Sequence, residues 1–287
     1  MRFSILALMK KDLPYQLICS DIDGTLLDVN RDISQETLTV FKKLNGDLPI
    51  LLASSRMPSA MHYLQKKLGI EGAPLIAYNG GLILGQNGSV VESNSFSLAV
   101  LKTVISNRKL GNFGYNISIY SNDDWFTETE DYWTKREINN TRVTPTLSSL
   151  QKTSDYLAKN GQNPHKIMCM GEEHEIDSLV EELNQKHKED VNLYRSKNTY
   201  LEITARNIDK SLALKVLLDE YYYIPMSKVI AFGDNHNDVE MLQQAGLGVA
   251  MANAADNVKA IAGKVSLYTN KEHAVAKAID QWLLGEL

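Results

Sequence analysis

Two short acidic clusters stand out by residue type and spacing. The first, Asp21-Ile22-Asp23-Gly24, follows directly on the apolar run 17–20. Carboxylates at i and i+2 just past a strand can point the same way, so one can attack an electrophile while the other moves a proton. Gly24 then lets the backbone turn sharply. A solvated acidic turn has the same composition, because Asp and Gly are common turn residues, but the apolar runs on both sides weigh against it. The second cluster, Gly233-Asp234-Asn235-His236-Asn237-Asp238, also follows an apolar run, 229–232, and also opens a helical pattern. Asp234 would stand at the strand tip and Asp238 one helical turn on, a position where carboxylates also serve as caps and dipole partners. Two acidic tips in one parallel sheet crowd negative charge into one crevice. That is costly unless a cation is present, and an all-oxygen ligand set points to Mg²⁺.

The elements that must hold these clusters are written in the apolar runs. Residues 16–20, 49–53 and 228–232 are short, continuously apolar and end abruptly in polar residues, as strands buried on both faces of a parallel sheet do. Helical patterns lie between them, over 34–44 with Ser34 as cap and over 59–68 ending at Gly69. The alternation resumes with helices over 210–220, 238–245, 255–261 and 274–284 and a strand over 248–250. This predicts an α/β fold, a doubly wound, Rossmann-like core around a parallel sheet. The middle of the chain reads differently. Hairpins at 82–92, 116–128 and 191–204, a strand at 166–170 and helices at 97–109 and 173–186 make an α+β block. The simplest account is an inserted domain, 87–203, that splits a core of 15–86 and 204–287. Residues 1–14 read as an N-terminal extension, with Met9 an alternative start.

Composition narrows the functional classes. In 287 residues, 30 Lys and Arg against 35 Asp and Glu leave a net charge of −5 and a pI near 5.7. That balance, with no long basic run, argues against a nucleic-acid or anionic-membrane binder. With 44% hydrophobic and 23% charged residues and a mean hydropathy of −0.25, the chain is an ordinary globular one. Cys19 and Cys169 read as buried thiols of a reducing, cytoplasmic protein. No stretch reaches the ~18 apolar residues of a membrane span. No obligate protein partner is evident.

Taken in order, Asp21-Ile22-Asp23-Gly24-Thr25-Leu26-Leu27, Ser54-Ser55-Arg56 after the second strand, Lys210 and Gly233-Asp234-Asn235-His236-Asn237-Asp238 resemble the four motifs of the haloacid dehalogenase-like phosphohydrolases. The insertion between the second and third motifs resembles the subgroup with a large α+β cap, the Cof-type sugar-phosphate phosphatases. Tyr78-Asn79-Gly80-Gly81, Leu201-Glu202-Ile203 and 246–254 are further local matches. The resemblance covers 15–287 and implies a Mg²⁺-dependent phosphatase of small phosphorylated metabolites. Asp21 would be the nucleophile, forming an aspartyl-phosphate, with its other oxygen on the metal. Asp23 would protonate the leaving alcohol, then take a proton from water, while its main-chain carbonyl binds the metal. Asp234 would be a second carboxylate ligand, and Asp238 would hold metal-bound water, orient Lys210 or ligate directly.

The same resemblance assigns phosphate contacts. Ser54 would supply a hydroxyl and backbone N–H groups, and Ser55 stands where the family usually has glycine. If that position needs positive φ, Ser55 costs about 1 kcal/mol. Arg56 reaches substrate or braces its loop. A lysine at a helix start runs against the dipole preference, and neutralising phosphate gives Lys210 a reason to be there. Asn237 would bind phosphate or fix Lys210, and Asn79 would line the entrance. His236 is a poor partner for a hard cation and is expected to face solvent or substrate. In the insert, Phe113, Tyr115, Tyr120, Trp125, Phe126, Tyr132 and Trp133 are core residues, apart from one or two that would stack on a sugar. A phosphomutase would use the same residues, and a silent phosphometabolite-binding protein the same scaffold; Asp21, Asp23, Lys210 and Asp234 together favour the hydrolase.

Overall fold

The computed structural model describes residues 13–285 apart from 45 and 47. The expected extension, 1–14, lies outside the described residues except for its last two positions. The chain forms two compact units. One comprises the described chain through Ser55, Met61–Val91 and the chain from Asp209, and the other Arg56–Ala60 and Glu92–Ile208.

The first unit is organised by strands β1 (Leu17–Ser20), β2 (Ile50–Ala53), β3 (Leu75–Ala77), β4 (Leu82–Leu84), β5 (Val90–Ser93, whose last two residues fall in the other unit), β12 (Val229–Gly233), β13 (Leu247–Ala250) and β14 (Lys264–Val265). They lie in the order β14-β13-β12-β1-β2-β3-β4-β5. Neighbours from β14 to β3 run parallel, and β4 turns back antiparallel on β3. β1, β2 and β12 are buried along their whole length, which is why their sequences are continuously apolar rather than alternating. The helices of this unit are α1 (Gln35–Lys43), α2 (Ser59–Leu68, whose first residues fall in the other unit), α7 (Lys210–Leu217), α8 (Val239–Gln244), α9 (Asp256–Ile261) and α10 (Ala274–Ile279). Leu17, Cys19, Leu51, Val229 and Ala231 pack with Leu214 and Leu217 of α7 and Met241 and Leu242 of α8. Each buried Leu, Val or Met among them contributes about 1.5–3 kcal/mol by leaving water. Strand β3 was not anticipated, because three residues after Pro74 are too few to establish a period. The helix expected over 210–220 is α-helical only to Leu217 and then widens into a turn ending at Tyr223, whose φ is 53°.

The second unit carries β6 (Asn116–Ser121), β7 (Asp124–Thr127), β8 (Thr146–Leu147), β9 (Lys166–Met170), β10 (Val191–Lys197) and β11 (Tyr200–Ala205), in the order β10-β11-β9-β6-β7-β8. Its pairings are antiparallel except β7 with β8. Alternate residues Ile117, Ile119, Ile167, Cys169, Leu201 and Ile203 form one apolar core with residues of α3 (Leu98–Leu110), α5 (Leu150–Lys159) and α6 (Glu173–His187). Period-2 alternation is therefore visible here and absent from the first unit's sheet. Helix α4 (Tyr132–Thr141) and α5 are not among the expected elements. α4 is mostly polar, and its start is marked only by Asp131, whose side chain accepts from Thr134 N–H. The corresponding mark for α5 is Ser149, accepting from Lys152 N–H.

Candidate active site

Strand register brings the clusters to one edge. β1 pairs with β12 up to Ser20↔Phe232 and with β2 up to Ser20↔Leu52, so Asp21, Ser54 and Asp234 all leave the carboxyl ends of adjacent parallel strands. The Asp21 N–H donates to the Phe232 carbonyl at 3.0 Å, and the Ser54 N–H to the Ile76 carbonyl at 2.9 Å. Gly24 turns the chain with φ +86°, and a Cβ there would collide with the Asp234 carboxylate. Only glycine allows this approach. Thr25 Oγ1 then donates to Asp234 Oδ1 at 3.0 Å, and Asn253 Nδ2 donates to the Gly24 carbonyl at 2.8 Å.

Carboxylate oxygens of Asp21, Asp234 and Asp238 lie within 4.8 Å of one another. Between them sits Lys210, the first residue of α7, with no solvent exposure. Its Nζ donates to Asp21 Oδ1 at 2.5 Å and to Asp238 Oδ1 at 2.7 Å. The helix starts there because Asp209 caps it, accepting from the Leu212 N–H at 2.8 Å. Asp238 uses its second oxygen to accept from the N–H groups of Asp234 (3.0 Å) and Asn235 (3.1 Å). Three carboxylates against one ammonium leave the site short of positive charge. Burial pushes the Asp21 carboxyl well above the usual carboxylate range; Lys210 pulls it down, and the charges of Asp238 and Asp234 push it up again. Asp234 is pushed up to about 6, by burial first and then by Asp238, against the Thr25 hydrogen bond. For Lys210, burial works against the charge, but Asp21 and Asp238 outweigh it and raise the pKa. Three hard oxygen donors held together at such cost suit a divalent cation such as Mg²⁺.

The remaining candidates are placed less centrally. Asp23 points its carboxylate outward, accepting from Arg31 Nη2 at 2.8 Å, and does not join the carboxylate group. Ser54 is buried. Ser55 is not among the residues with positive φ, so the cost expected of a serine in place of glycine does not arise. Arg56 falls in the other unit, where its buried guanidinium donates to the Ala60 carbonyl at 3.3 Å. Asn237 Nδ2 donates to Asn79 Oδ1 at 2.8 Å. His236 is exposed, with Nδ1 2.9 Å from Asn257 Nδ2. Thr25, Arg31 and Asn253 support the site without having been singled out from sequence. Thr25 and Asn253 do lie inside the family-like motifs, whereas Arg31 carries no signal.

A model of the haloacid dehalogenase-like hydrolases matches residues 18–279. The chain belongs to this family. Among its relatives, the 5-amino-6-(5-phospho-D-ribitylamino)uracil phosphatase YitU of Bacillus subtilis is 29% identical over 276 residues, covering 94% of this chain and 97% of its own. A haloacid dehalogenase-like hydrolase from Bacteroides thetaiotaomicron superposes with a TM-score of 0.83 at 28% identity, over 93% of this chain and 99% of that one. A subclass IIB sugar phosphatase of the superfamily shares the fold, with a TM-score of 0.75 at 20% identity over 95% of this chain and 100% of its own. In this haloacid dehalogenase-like chain, no helix of the described residues is long and apolar enough to cross a membrane.

Proposed function

We propose that this hydrolase of phosphoric monoesters is a Mg²⁺-dependent phosphatase of small phosphorylated metabolites, sugar phosphates foremost, that passes the phosphoryl group through Asp21. The observation that carries the reading is the buried Lys210 ammonium between Asp21 and Asp238, with the Asp234 carboxylate in the same group. Asp21 attacks phosphorus, the ester P–O bond breaks, and Asp23 gives its proton to the departing alkoxide. Asp23 then takes a proton from a water that attacks the aspartyl-phosphate, releasing inorganic phosphate and restoring Asp21. The exposed Arg31 guanidinium, ion-paired with Asp23, favours the carboxylate form that takes the proton from water. Lys210, Ser54 and Asn237 bind the phosphoryl oxygens, where Lys210 offsets charge that grows in the transition state. Asp21, Asp234, Asp238 and the main-chain carbonyl of Asp23 would hold Mg²⁺, which when bound neutralises the carboxylates and polarises the phosphoryl group.

A relative at 29% identity that acts on a phosphorylated ribitylamino compound supports a small polyol or sugar ester as substrate. We assign selection of the leaving group to the second unit, whose aromatics divide between core and surface: Tyr115, Tyr120 and Trp125 are buried, and Tyr132 is exposed. The test is phosphate release from p-nitrophenyl phosphate with Mg²⁺ and with EDTA, followed by a panel of phosphorylated metabolites ranked by kcat/KM. Release that EDTA abolishes is expected. Metal-independent turnover would remove the Mg²⁺ assignment, and release of an isomer in place of phosphate would make the enzyme a mutase.

A further inference from the structure

We infer that the turn Tyr78-Asn79-Gly80, at the end of β3, is a positioning device for the active site. Asn79 acts on the reaction through Asn237 and the Lys210 helix, not by touching substrate. The turn is strained. Three successive residues lie in the left-handed region, with φ of 52°, 58° and 103°. This is an outlier for a bulky aromatic such as Tyr78, and such backbone persists only where its surroundings over-determine it. Here they do. The Tyr78 side chain is wholly buried. The Asn79 N–H donates to the Ser54 carbonyl at 2.8 Å, and the Gly81 N–H to the Tyr78 carbonyl at 3.0 Å.

Two arms run from this turn to Lys210. Along the first, a Cβ on Gly80 would lie 2.7 Å from the Asp209 carbonyl oxygen and 3.2 Å from Ala213 Cβ, so α7 seats its first turn directly on the glycine. That seat sets how far Lys210 reaches. Along the second, Asn79 Oδ1 accepts from Asn237 Nδ2 at 2.8 Å. Asn237 precedes Asp238, which takes the second hydrogen bond of Lys210. The contacts therefore close a ring, from Gly80 to Asp209 and Lys210, on to Asp238 and Asn237, and back to Asn79. With the Ser54 bond, one strained turn ties together the tips of three otherwise separate chain segments. A turn that merely reversed the chain between β3 and β4 would need neither arm.

Only the kinetic arm of the test rests on the phosphatase reading. Asn79→Gly removes the amide while keeping a residue that tolerates positive φ. On p-nitrophenyl phosphate with Mg²⁺ it should lower kcat about tenfold with KM within about twofold, since misplacement of a group that binds the transition state costs kcat. The double variant Asn79→Gly/Asn237→Ala should fall no further than Asn237→Ala alone, as expected of residues acting through one link. A raised KM with unchanged kcat for Asn79→Gly, or additive losses in the double variant, would overturn the inference. The second arm needs no substrate: hydrogen exchange of the Ala213 and Leu214 amides in the first turn of α7 should quicken about tenfold in Gly80→Ala. Unchanged exchange would overturn the positioning role even if the protein proved not to be a phosphatase. An inactive wild type would sink the activity and leave this arm to decide.

Discussion

Both sheets bury polar side chains, and they settle them in opposite ways. In the second unit, Asn116 Nδ2 donates to Asp131, Thr134 and Thr127 at 3.0, 3.1 and 3.3 Å. Thr127 and Thr134 in turn donate to the carbonyls of Ile117 and Thr129. His165 accepts the Asn122 N–H on Nδ1 at 3.0 Å, which leaves Nε2 to donate to Ser93 Oγ at 2.9 Å. These hydrogen bonds join residues of one unit and contribute stability. At the carboxyl edge of the first unit, three carboxylates face one ammonium, and burial raises the pKa of two of them. An incomplete charge balance of this kind suits a cation.

Mutations should separate the two kinds of burial. The largest effect is expected from Asp21→Asn, which should cut phosphate release at least about 10⁴-fold. It should leave the melting temperature of the metal-free protein unchanged or higher, because an amide removes one unbalanced charge. In the second unit, Asn116→Ala should do the reverse. It should destabilise by about 2–3 kcal/mol by leaving buried partners unsatisfied, while kcat on p-nitrophenyl phosphate stays within about twofold. Denaturant titration and steady-state kinetics on the same samples separate the two.

Two smaller effects depend on pH. Asp234 has a folded pKa of about 6 against an ordinary 3.8, so the folded protein holds its proton more tightly than the unfolded chain does. Its contribution to metal-free stability is full below the ordinary value and is lost as pH rises through about 6. Asp234→Asn should remove that loss, worth about 1–3 kcal/mol, and shrink the upward shift in melting temperature that Mg²⁺ gives the wild type. His165 runs the other way. Burial lowers it to about 4 from 6.5, so its contribution is present above 6.5 and lost as pH falls through about 4. His165→Gln should flatten the acid side of the stability curve, by about 2 kcal/mol between neutral pH and pH 5, read from denaturant midpoints. A wild-type curve flat over that interval would count against the buried neutral imidazole.

The doubly wound core and the convergence of Asp21 and Asp234 were legible because strands buried on both faces must be apolar throughout, and each acidic cluster begins where such a run stops. Lys210 was legible through the family pattern and its place at a helix start, since a lone lysine has no periodic signature. The strained turn at Tyr78 could not be read at all, because an aromatic residue is among the last expected to adopt positive φ. Nor could the clamp of Asn253 on Gly24, which joins residues distant in sequence across a tertiary contact. β3 was too short to show a period, and α4 too polar.

Asp21, held by Lys210 among carboxylates that call for a cation, is the residue proposed to carry the phosphoryl group. Mixing enzyme with substrate and Mg²⁺, quenching in acid and weighing the intact protein by mass spectrometry tests it most directly. One hydroxylamine-labile phosphoryl group is expected in the wild type and none in Asp21→Asn or in EDTA. A phosphorylated Asp21→Asn protein, or rapid turnover with no phosphorylated species at any quench time, would contradict it.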